Sequence, residues 1–130
     1  MEFPQDRLYS EYHLWIKPEE GGVWIGITEY AREELGEVDY VELPAADDKM
    51  TRDRPFGILE TSKAVTDLVA PISGIVVRAN TALVESPKTL TSDPYSAGWL
   101  VVVDSSNLRE LDELITPERY RELVTSLTAE

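Results

Sequence analysis

Two short apolar runs, separated by a polar turn, make up the stretch FGILETSKAVTDLVA at residues 56–70. The first run, residues 56–60, and the second, residues 65–70, each have the length of an ordinary β-strand. The polar residues Thr61-Ser62-Lys63 between them form a turn signal. The stretch therefore predicts a β-hairpin that carries Lys63 at its tip.

The chain on either side of this hairpin repeats the pattern of short apolar runs bounded by turn residues. Gly74 is expected to form a bulge or a corner in its strand. The segment 45–54 predicts a charged loop, because it shows no periodicity. The run at 98–103 is nearly all apolar, which indicates a strand buried on both faces. Five strands are thus predicted in addition to the hairpin, at 12–17, 23–27, 38–43, 72–79 and 98–103.

Helical signals are fewer. Thr28 can cap and Gly36 can end a helix of two turns between them. Segment 86–95 predicts a loop with at most one helical turn, and Thr116, followed by proline, begins a C-terminal helix. Apolar residues at helical spacing occur in this C-terminal region, at Leu108, Leu111, Ile115, Tyr120, Leu123, Val124 and Leu127. Together the elements predict a mainly-β sandwich or barrel with a short internal helix and a C-terminal helical tail, formed as a single domain over residues 1–130.

The composition excludes several kinds of function. The chain has 12 Lys or Arg and 25 Asp or Glu, so its formal net charge is −13. Such a chain offers no basic face, which disfavours nucleic acid and anionic membranes as partners. It has no cysteine, which excludes a disulfide framework, a thiolate metal site and a cysteine nucleophile. No apolar run approaches the ~20 residues of a membrane span, and the first residues lack a secretory signal. The sequence predicts a cytoplasmic protein.

Catalytic signatures for nucleophilic, phosphate-binding, dinucleotide or zinc chemistry are absent. Pairs of adjacent acids such as Glu33-Glu34 indicate solvated surface charge, because 25 acids among 130 residues pair by chance. The single histidine, His13, is open to two interpretations: a half-buried strand residue, or a cleft residue near a ligand. Three tryptophans are expected to anchor strands in the core, at positions Trp15, Trp24 and Trp99.

Lys63 is the one cation between Pro55 and Arg78. At a hairpin tip its amine would be exposed while the paired strands hold its backbone. One interpretation is an edge-strand lysine that discourages aggregation. The other is an attachment point for a carried group, which needs a stiff base and an accessible amine. Glu60 and Asp67 flank this lysine on the two strands.

The segment ETSKAVTDL at 60–68 is followed by APISG at 70–74. Together they resemble the lipoylation hairpin of the glycine cleavage system H-protein family. The resemblance extends from about Leu8 to Leu123, in the family's order and spacing. The other matching segments are HLW at 13–15, GITEYA at 26–31, LGE at 35–37, VELP at 41–44, DPY at 93–95 and GW at 98–99. The Met-Lys-Met of biotin carriers and the Asp-Lys-Ala of acyltransferase lipoyl domains do not occur.

This resemblance implies a barrel-sandwich hybrid of the lipoyl type in which Lys63 carries lipoic acid as an amide, attached by a lipoate ligase or lipoyl transferase. It implies a non-catalytic carrier. In the family the arm accepts an aminomethyl group at the P protein, delivers it to the T protein and is reoxidised by dihydrolipoyl dehydrogenase. The resemblance also implies that Glu60 and Asp67 contribute to ligase recognition or arm docking, and that His13 and Leu14 line the docking cleft.

Two residues depart from the family pattern. Leu14 stands where the family has a glutamate that helps to hold the loaded arm, and Ser62 stands where valine is usual. Leucine cannot neutralise an ammonium group, which is costly to hold half-buried without a partner. A cleft without this carboxylate would suit a neutral or anionic cargo better. The sequence thus leaves open a lipoate-binding protein that carries sulfur intermediates with heterodisulfide-reductase-like partners. It also leaves open an H-like protein of a lipoyl-relay and ADP-ribosylation module.

Two other classes of function remain to be distinguished from a carrier. A free-standing enzyme would have one histidine, no cysteine and no nucleophile motif to work with, so the sequence predicts no catalysis by the chain alone. An adaptor without a cofactor would retain its function with Lys63 unmodified.

Overall fold

A computed structural model describes residues 1–129 of the chain. This part contains nine β-strands and five helices. The strands are β1 (Leu8–Tyr9), β2 (Leu14–Glu19), β3 (Gly22–Ile27), β4 (Val38–Glu42), β5 (Lys49–Met50), β6 (Pro55–Thr61), β7 (Val65–Val69), β8 (Gly74–Ala79) and β9 (Val101–Ser105). The helices are α1 (Glu29–Leu35), α2 (Ala82–Glu85), α3 (Lys88–Ser92), α4 (Arg109–Asp112) and α5 (Pro117–Thr128).

Two antiparallel sheets share one hydrophobic core, here called the main core. The larger sheet has the strand order β1-β2-β3-β9-β8-β5, and the smaller has the order β4-β6-β7. Ile25 and Val103 enter the main core from the larger sheet, and Val41 and Leu59 enter it from the smaller. The predicted mainly-β architecture, with an internal helix and a C-terminal helix, is confirmed.

The predicted hairpin is β6 and β7. Its strands pair from Pro55 opposite Val69 to Glu60 opposite Val65. The nearly all-apolar run at 98–103 is buried as expected over residues 100–103, which are at most 2% exposed. Strand β9, however, begins only at Val101. Trp99 precedes this strand, and its backbone carbonyl accepts a hydrogen bond from the Asn80 side chain at 2.7 Å.

Two expectations about the segments on either side of the hairpin are wrong in detail. The segment 45–54 is not wholly loop, because Lys49 and Met50 form β5 and pair with the start of β8. The structure does not place a bulge at Gly74, since the register of β8 shifts between Val76 and Arg78 instead. Gly74 lies between β5 and β9, and a Cβ there would overlap the backbone carbonyl oxygen of Asp104. A side chain is excluded because three strands approach closely at this point.

The two helices with clear capping signals form as predicted. Thr28 caps α1 by accepting a hydrogen bond from the Ala31 amide at 3.2 Å, and Gly36 ends it with a φ of 72°. Thr116 caps α5 in the same way, from the Arg119 amide. The short helix α2, within a stretch that the sequence did not predict as helical, is an addition. Among residues 1–129, no helix has the length and apolar character that crossing a bilayer requires.

A second, smaller core lies between α5 and the first strands of the larger sheet. The rings of Tyr9 and Tyr120 stack there with centroids 4.5 Å apart, and Trp15 and Val124 complete the buried set. Of the three tryptophans, only Trp15 is a buried anchor, at 2% exposure. Trp24 and Trp99 are partly buried on the outer side, and Arg78 lies over both rings at 5.1 and 5.2 Å.

Candidate functional site

Lys63 lies on the exposed tip of the β6–β7 hairpin. The tip is closed by a hydrogen bond from the Thr61 amide to the Ala64 carbonyl at 2.9 Å. The Thr61 hydroxyl oxygen accepts two more, from the amides of Lys63 and Ala64, both at 3.2 Å. Among the described residues the Lys63 amine makes no ion pair, unlike the amines of Lys17 and Lys88. The turn therefore orders the backbone at Lys63 and leaves its amine accessible.

A largely apolar cavity of about 270 Å³ lies beside this hairpin. Strand β7, the second strand of the hairpin, contributes one part of the lining, and α1 and the segment before β2 contribute another. The hairpin that presents Lys63 is thus also part of the cavity. The lining residues are Tyr12, His13, Leu14, Ile27, Tyr30, Ala31, Glu34, Leu35, Leu59, Thr66, Asp67, Leu68 and Val69.

Three of the five residues proposed from the sequence meet in this cavity: His13, Leu14 and Asp67. Glu60 does not line it. It pairs in register with Val65, next to the tip. Of the three hairpin residues proposed from the sequence, Asp67 lines the cavity, whereas Glu60 and Lys63 do not.

His13 precedes β2 and has a left-handed backbone, with a φ of 66°. Its amide donates to the Ser10 carbonyl at 3.1 Å, and its carbonyl accepts from the Thr28 amide at 3.1 Å. The ring is half-buried and packs against Tyr30 with centroids 4.6 Å apart. Of the two interpretations of this histidine, the structure favours the cleft residue over the strand residue.

The His13 ring is connected to the C-terminal helix. Its Nδ1 lies 3.0 Å from the Tyr120 hydroxyl, which lies 2.7 Å from the Thr28 hydroxyl. Burial lowers the pKa of His13, although the charge of Glu34 acts in the opposite direction. A neutral imidazole satisfies this network in either direction: Thr28 donates to Tyr120 and Tyr120 to Nδ1, or Nδ1–H donates to Tyr120 and Tyr120 to Thr28.

Leu14 is 2% exposed and belongs to the main core. It starts β2 opposite Ile27, and both side chains line the apolar part of the cavity. Asp67 is an exposed residue of β7 and lines the cavity from the hairpin side. The cavity thus has an apolar interior with a carboxylate at its edge.

Sequence reasoning missed two contributors to this site. Glu34 was interpreted as solvated surface charge; it is exposed, but it also lines the cavity from α1. Tyr30 lies one turn earlier on the same helix and also lines the cavity. The signal was the spacing, since residues four apart on a helix share a face. Of the described residues that line the cavity, none is a lysine or an arginine.

Residues 7–127 match the model of the family described as "Glycine cleavage H-protein". The chain belongs to this family. The glycine cleavage system H protein of Oceanobacillus iheyensis is 43% identical over 124 residues, which cover 95% of this chain and 98% of that protein. The H protein of Carboxydothermus hydrogenoformans is 44% identical over 121 residues, which cover 93% of each chain.

A solved H-protein structure agrees with this assignment. The crystal structure of the glycine cleavage system H protein from Mycobacterium marinum is similar with a TM-score of 0.85 and 39% identity, covering 92% of this chain and 97% of that one. Glycine cleavage H proteins are lipoyl carrier components and are not themselves catalytic, which confirms the predicted class of function. These comparisons give no support to the alternative of a sulfur carrier.

Proposed function

We propose that this chain is the lipoyl carrier of a glycine cleavage system, with lipoate bound as an amide to the Nζ of Lys63. The observation that carries the proposal is the exposed Lys63 amine on a hydrogen-bonded hairpin tip whose second strand also lines an apolar cavity. An exposed amine on an ordered backbone meets the needs of both an attachment enzyme and a mobile arm. When bound, the lipoyl group would supply a reactive dithiolane that carries a one-carbon amine.

The residues of this chain position that arm. The β6–β7 hairpin provides its base, and Thr61 orders the turn. We propose that the arm docks in the cavity, where Leu14 supplies apolar contact, Asp67 supplies negative charge and His13 closes one side. Glu60 is assigned to recognition of the hairpin by the lipoate ligase or lipoyl transferase, because it lies beside the tip and away from the cavity.

The proposed partners are the P protein, the T protein and dihydrolipoyl dehydrogenase, as membership of the glycine cleavage family implies. The net charge of −13 would favour docking on basic faces of these enzymes and would accelerate their encounter at low salt. The single-domain organisation and the cytoplasmic location stay predictions from the sequence.

The alternative of a sulfur cargo depended on Leu14, because leucine cannot neutralise an ammonium group. The cavity nevertheless has two carboxylates, Asp67 and Glu34, and no lysine or arginine among its described lining residues. Such surroundings favour a cationic cargo over an anionic one. The charge distribution therefore supports the aminomethyl group.

The proposal is tested by a non-reducing mass spectrum of the Lys63 peptide from protein isolated from its own cells. We expect a lipoyl mass on this peptide, with an added aminomethyl group when glycine is supplied. Lys63→Arg should abolish the modification completely. Lys49→Arg, at another exposed lysine without an ion pair among the described residues, should leave it unchanged. An unmodified Lys63 in lipoate-replete cells would contradict the proposal, and added sulfur in place of the aminomethyl group would select the alternative.

A further inference from the structure

Glu34 lies in the last turn of α1 and lines the same cavity as Asp67, which belongs to β7. The charge of Glu34 affects the pKa values of two other lining residues, Tyr30 and His13. Burial and then the Glu34 carboxylate raise the pKa of Tyr30, and the same carboxylate opposes the effect of burial on His13. Glu34 lines the cavity and is thus close enough to two other lining residues for its charge to act on them.

Leu14 leaves the interior of this cavity without a charge. Its side chain is 2% exposed and is part of the main core, so its surroundings are apolar. An ammonium group entering such surroundings needs a nearby carboxylate, because the desolvation of an unpaired charge is costly. Asp67 and Glu34 are the two acids that line the cavity among the described residues, and they approach it from two different elements.

His13 does not compete with this charge. Burial disfavours its protonated form, and its Nδ1 is engaged by the Tyr120 hydroxyl. A neutral imidazole adds no positive charge that would repel a cationic cargo. The charges that line the cavity are therefore of one sign.

We infer that Glu34, together with Asp67, supplies the counter-charge that holds the ammonium group of the cargo, the function that Leu14 cannot perform. This inference rests on the proposed function, because it requires a cargo on Lys63. It makes Glu34 a specificity-determining residue that retains a cationic one-carbon amine and disfavours a neutral or anionic sulfur group. The helix that the Thr28 cap begins thereby takes part in cargo selection.

The test compares Glu34→Gln with Glu33→Gln in lipoylated protein that has been loaded with glycine by a P protein. Glu33 is the matched control, because it is the adjacent exposed acid of α1 and does not line the cavity. Glutamine is a good helix former, so both variants should fold. In water the loaded arm loses its cargo by hydrolysis: water adds oxygen to the methylene carbon, the C–S and C–N bonds break, and thiol, formaldehyde and ammonium are released.

We expect Glu34→Gln to shorten the lifetime of the loaded form, followed by mass spectrometry, about two- to fivefold, the range for an ion pair at an exposed carboxylate. Glu33→Gln should decay like the parent protein. A second readout needs no cofactor: in unmodified protein, Glu34→Gln should lower the pKa of the single histidine measured by NMR, and Glu33→Gln should not. Equal lifetimes, or an unchanged histidine pKa, would overturn the inference while lipoylation of Lys63 still stood. An unmodified Lys63 would instead overturn the proposed function and the inference with it.

Discussion

His13 is held in a backbone conformation that costs most L-residues about 1 kcal/mol. Its amide and carbonyl both make hydrogen bonds, to Ser10 and Thr28, and its ring contacts Tyr30 and Tyr120. These contacts offset the strain and hold the ring at the cavity. Strained residues that their surroundings hold in place are common at functional sites, and here the strained residue lies between the cavity and the C-terminal helix.

The lowered pKa of His13 predicts a pH-dependent stability. Because burial holds the folded pKa below the usual value of about 6.5, the unfolded chain binds the proton more tightly than the folded chain. The contribution of His13 to stability is therefore complete above about pH 6.5 and is lost as the pH falls towards the folded pKa. Thermal unfolding between pH 7.5 and pH 5.5 should show this loss.

The control for this prediction is His13→Asn, because asparagine tolerates a positive φ and does not titrate. Carboxylates and the N-terminus titrate in both proteins, and Glu34, the acid that faces the ring, is present in both. The difference between the two melting temperatures therefore isolates His13, and the parent protein should lose more stability than the variant on acidification. A difference that stays constant with pH, or changes in the other direction, would contradict the prediction.

At the scale of elements, the β6–β7 hairpin depends on one side chain for its tip. The Thr61 hydroxyl accepts hydrogen bonds from the Lys63 and Ala64 amides, at the residue to be modified and the one after it. Thr61→Val keeps the shape and the strand preference but removes this acceptor. We expect amide hydrogen exchange at both residues to accelerate several-fold and lipoylation to slow, while the global free energy of unfolding falls by only about 1 kcal/mol.

Thr61→Ser is the matched control, because serine keeps the hydroxyl and loses only a methyl group. It should retain slow exchange at Lys63 and Ala64 and a parental rate of lipoylation. If Thr61→Val left the exchange of these two amides unchanged, the tip would be ordered by its backbone hydrogen bond alone, and the role given to the hydroxyl would be wrong.

Elements with local signals were predictable from the sequence, and elements that depend on distant pairing were not. The caps at Thr28 and Thr116 specify α1 and α5 within a few residues, and two short apolar runs around a polar turn specify the hairpin. Strand β5 is two residues long and exists through its pairing with β8, some 25 residues later. The packing of three strands around Gly74 was also not predictable, because no local sequence pattern shows that the carbonyl of Asp104, some 30 residues later, lies against this glycine.

The same distinction applies to the site. Lys63 and Asp67 lie within one continuous motif, and the segment with His13 and Leu14 matches a family pattern, so all four were predictable. Glu34 was not, because its neighbour Glu33 has the same charge and only the docking of α1 determines which acid faces the cavity. That Asp67 lines the cavity and Glu60 does not likewise depends on tertiary packing around the hairpin, which no local pattern reveals.

At the scale of the whole molecule, the end of the chain supports the site formed near its beginning. Tyr120, on α5, is fully buried and stacks on Tyr9. Its hydroxyl reaches both the cap of α1, at Thr28, and the ring of His13, 107 residues away in sequence. Burial keeps the phenol neutral by raising its pKa. The C-terminal helix therefore positions two walls of the cavity through one hydroxyl group.

The charge of the whole molecule predicts an unusual response to salt. With 25 acids against 12 basic residues, the folded chain concentrates like charges that repel one another. The ion pairs among residues 1–129 lie largely at the surface, where each contributes at most about 1 kcal/mol. Sodium chloride screens both the repulsion among like charges and the attraction within the ion pairs. Because acids are in excess, we expect the repulsion to contribute more to the free energy of unfolding than the attraction.

Raising sodium chloride from about 20 mM, where charges interact over about 20 Å, to about 500 mM should therefore stabilise the protein at pH 7. An increase of about 1 kcal/mol in the free energy of unfolding would raise the melting temperature by about 4 °C for a chain of this size. The control is the same titration near pH 4.4, the isoelectric point, where the net repulsion vanishes and the gain should too. A melting temperature that falls with salt at pH 7 would mean that the surface ion pairs outweigh the repulsion. The charged surface would then be a net source of stability at low salt.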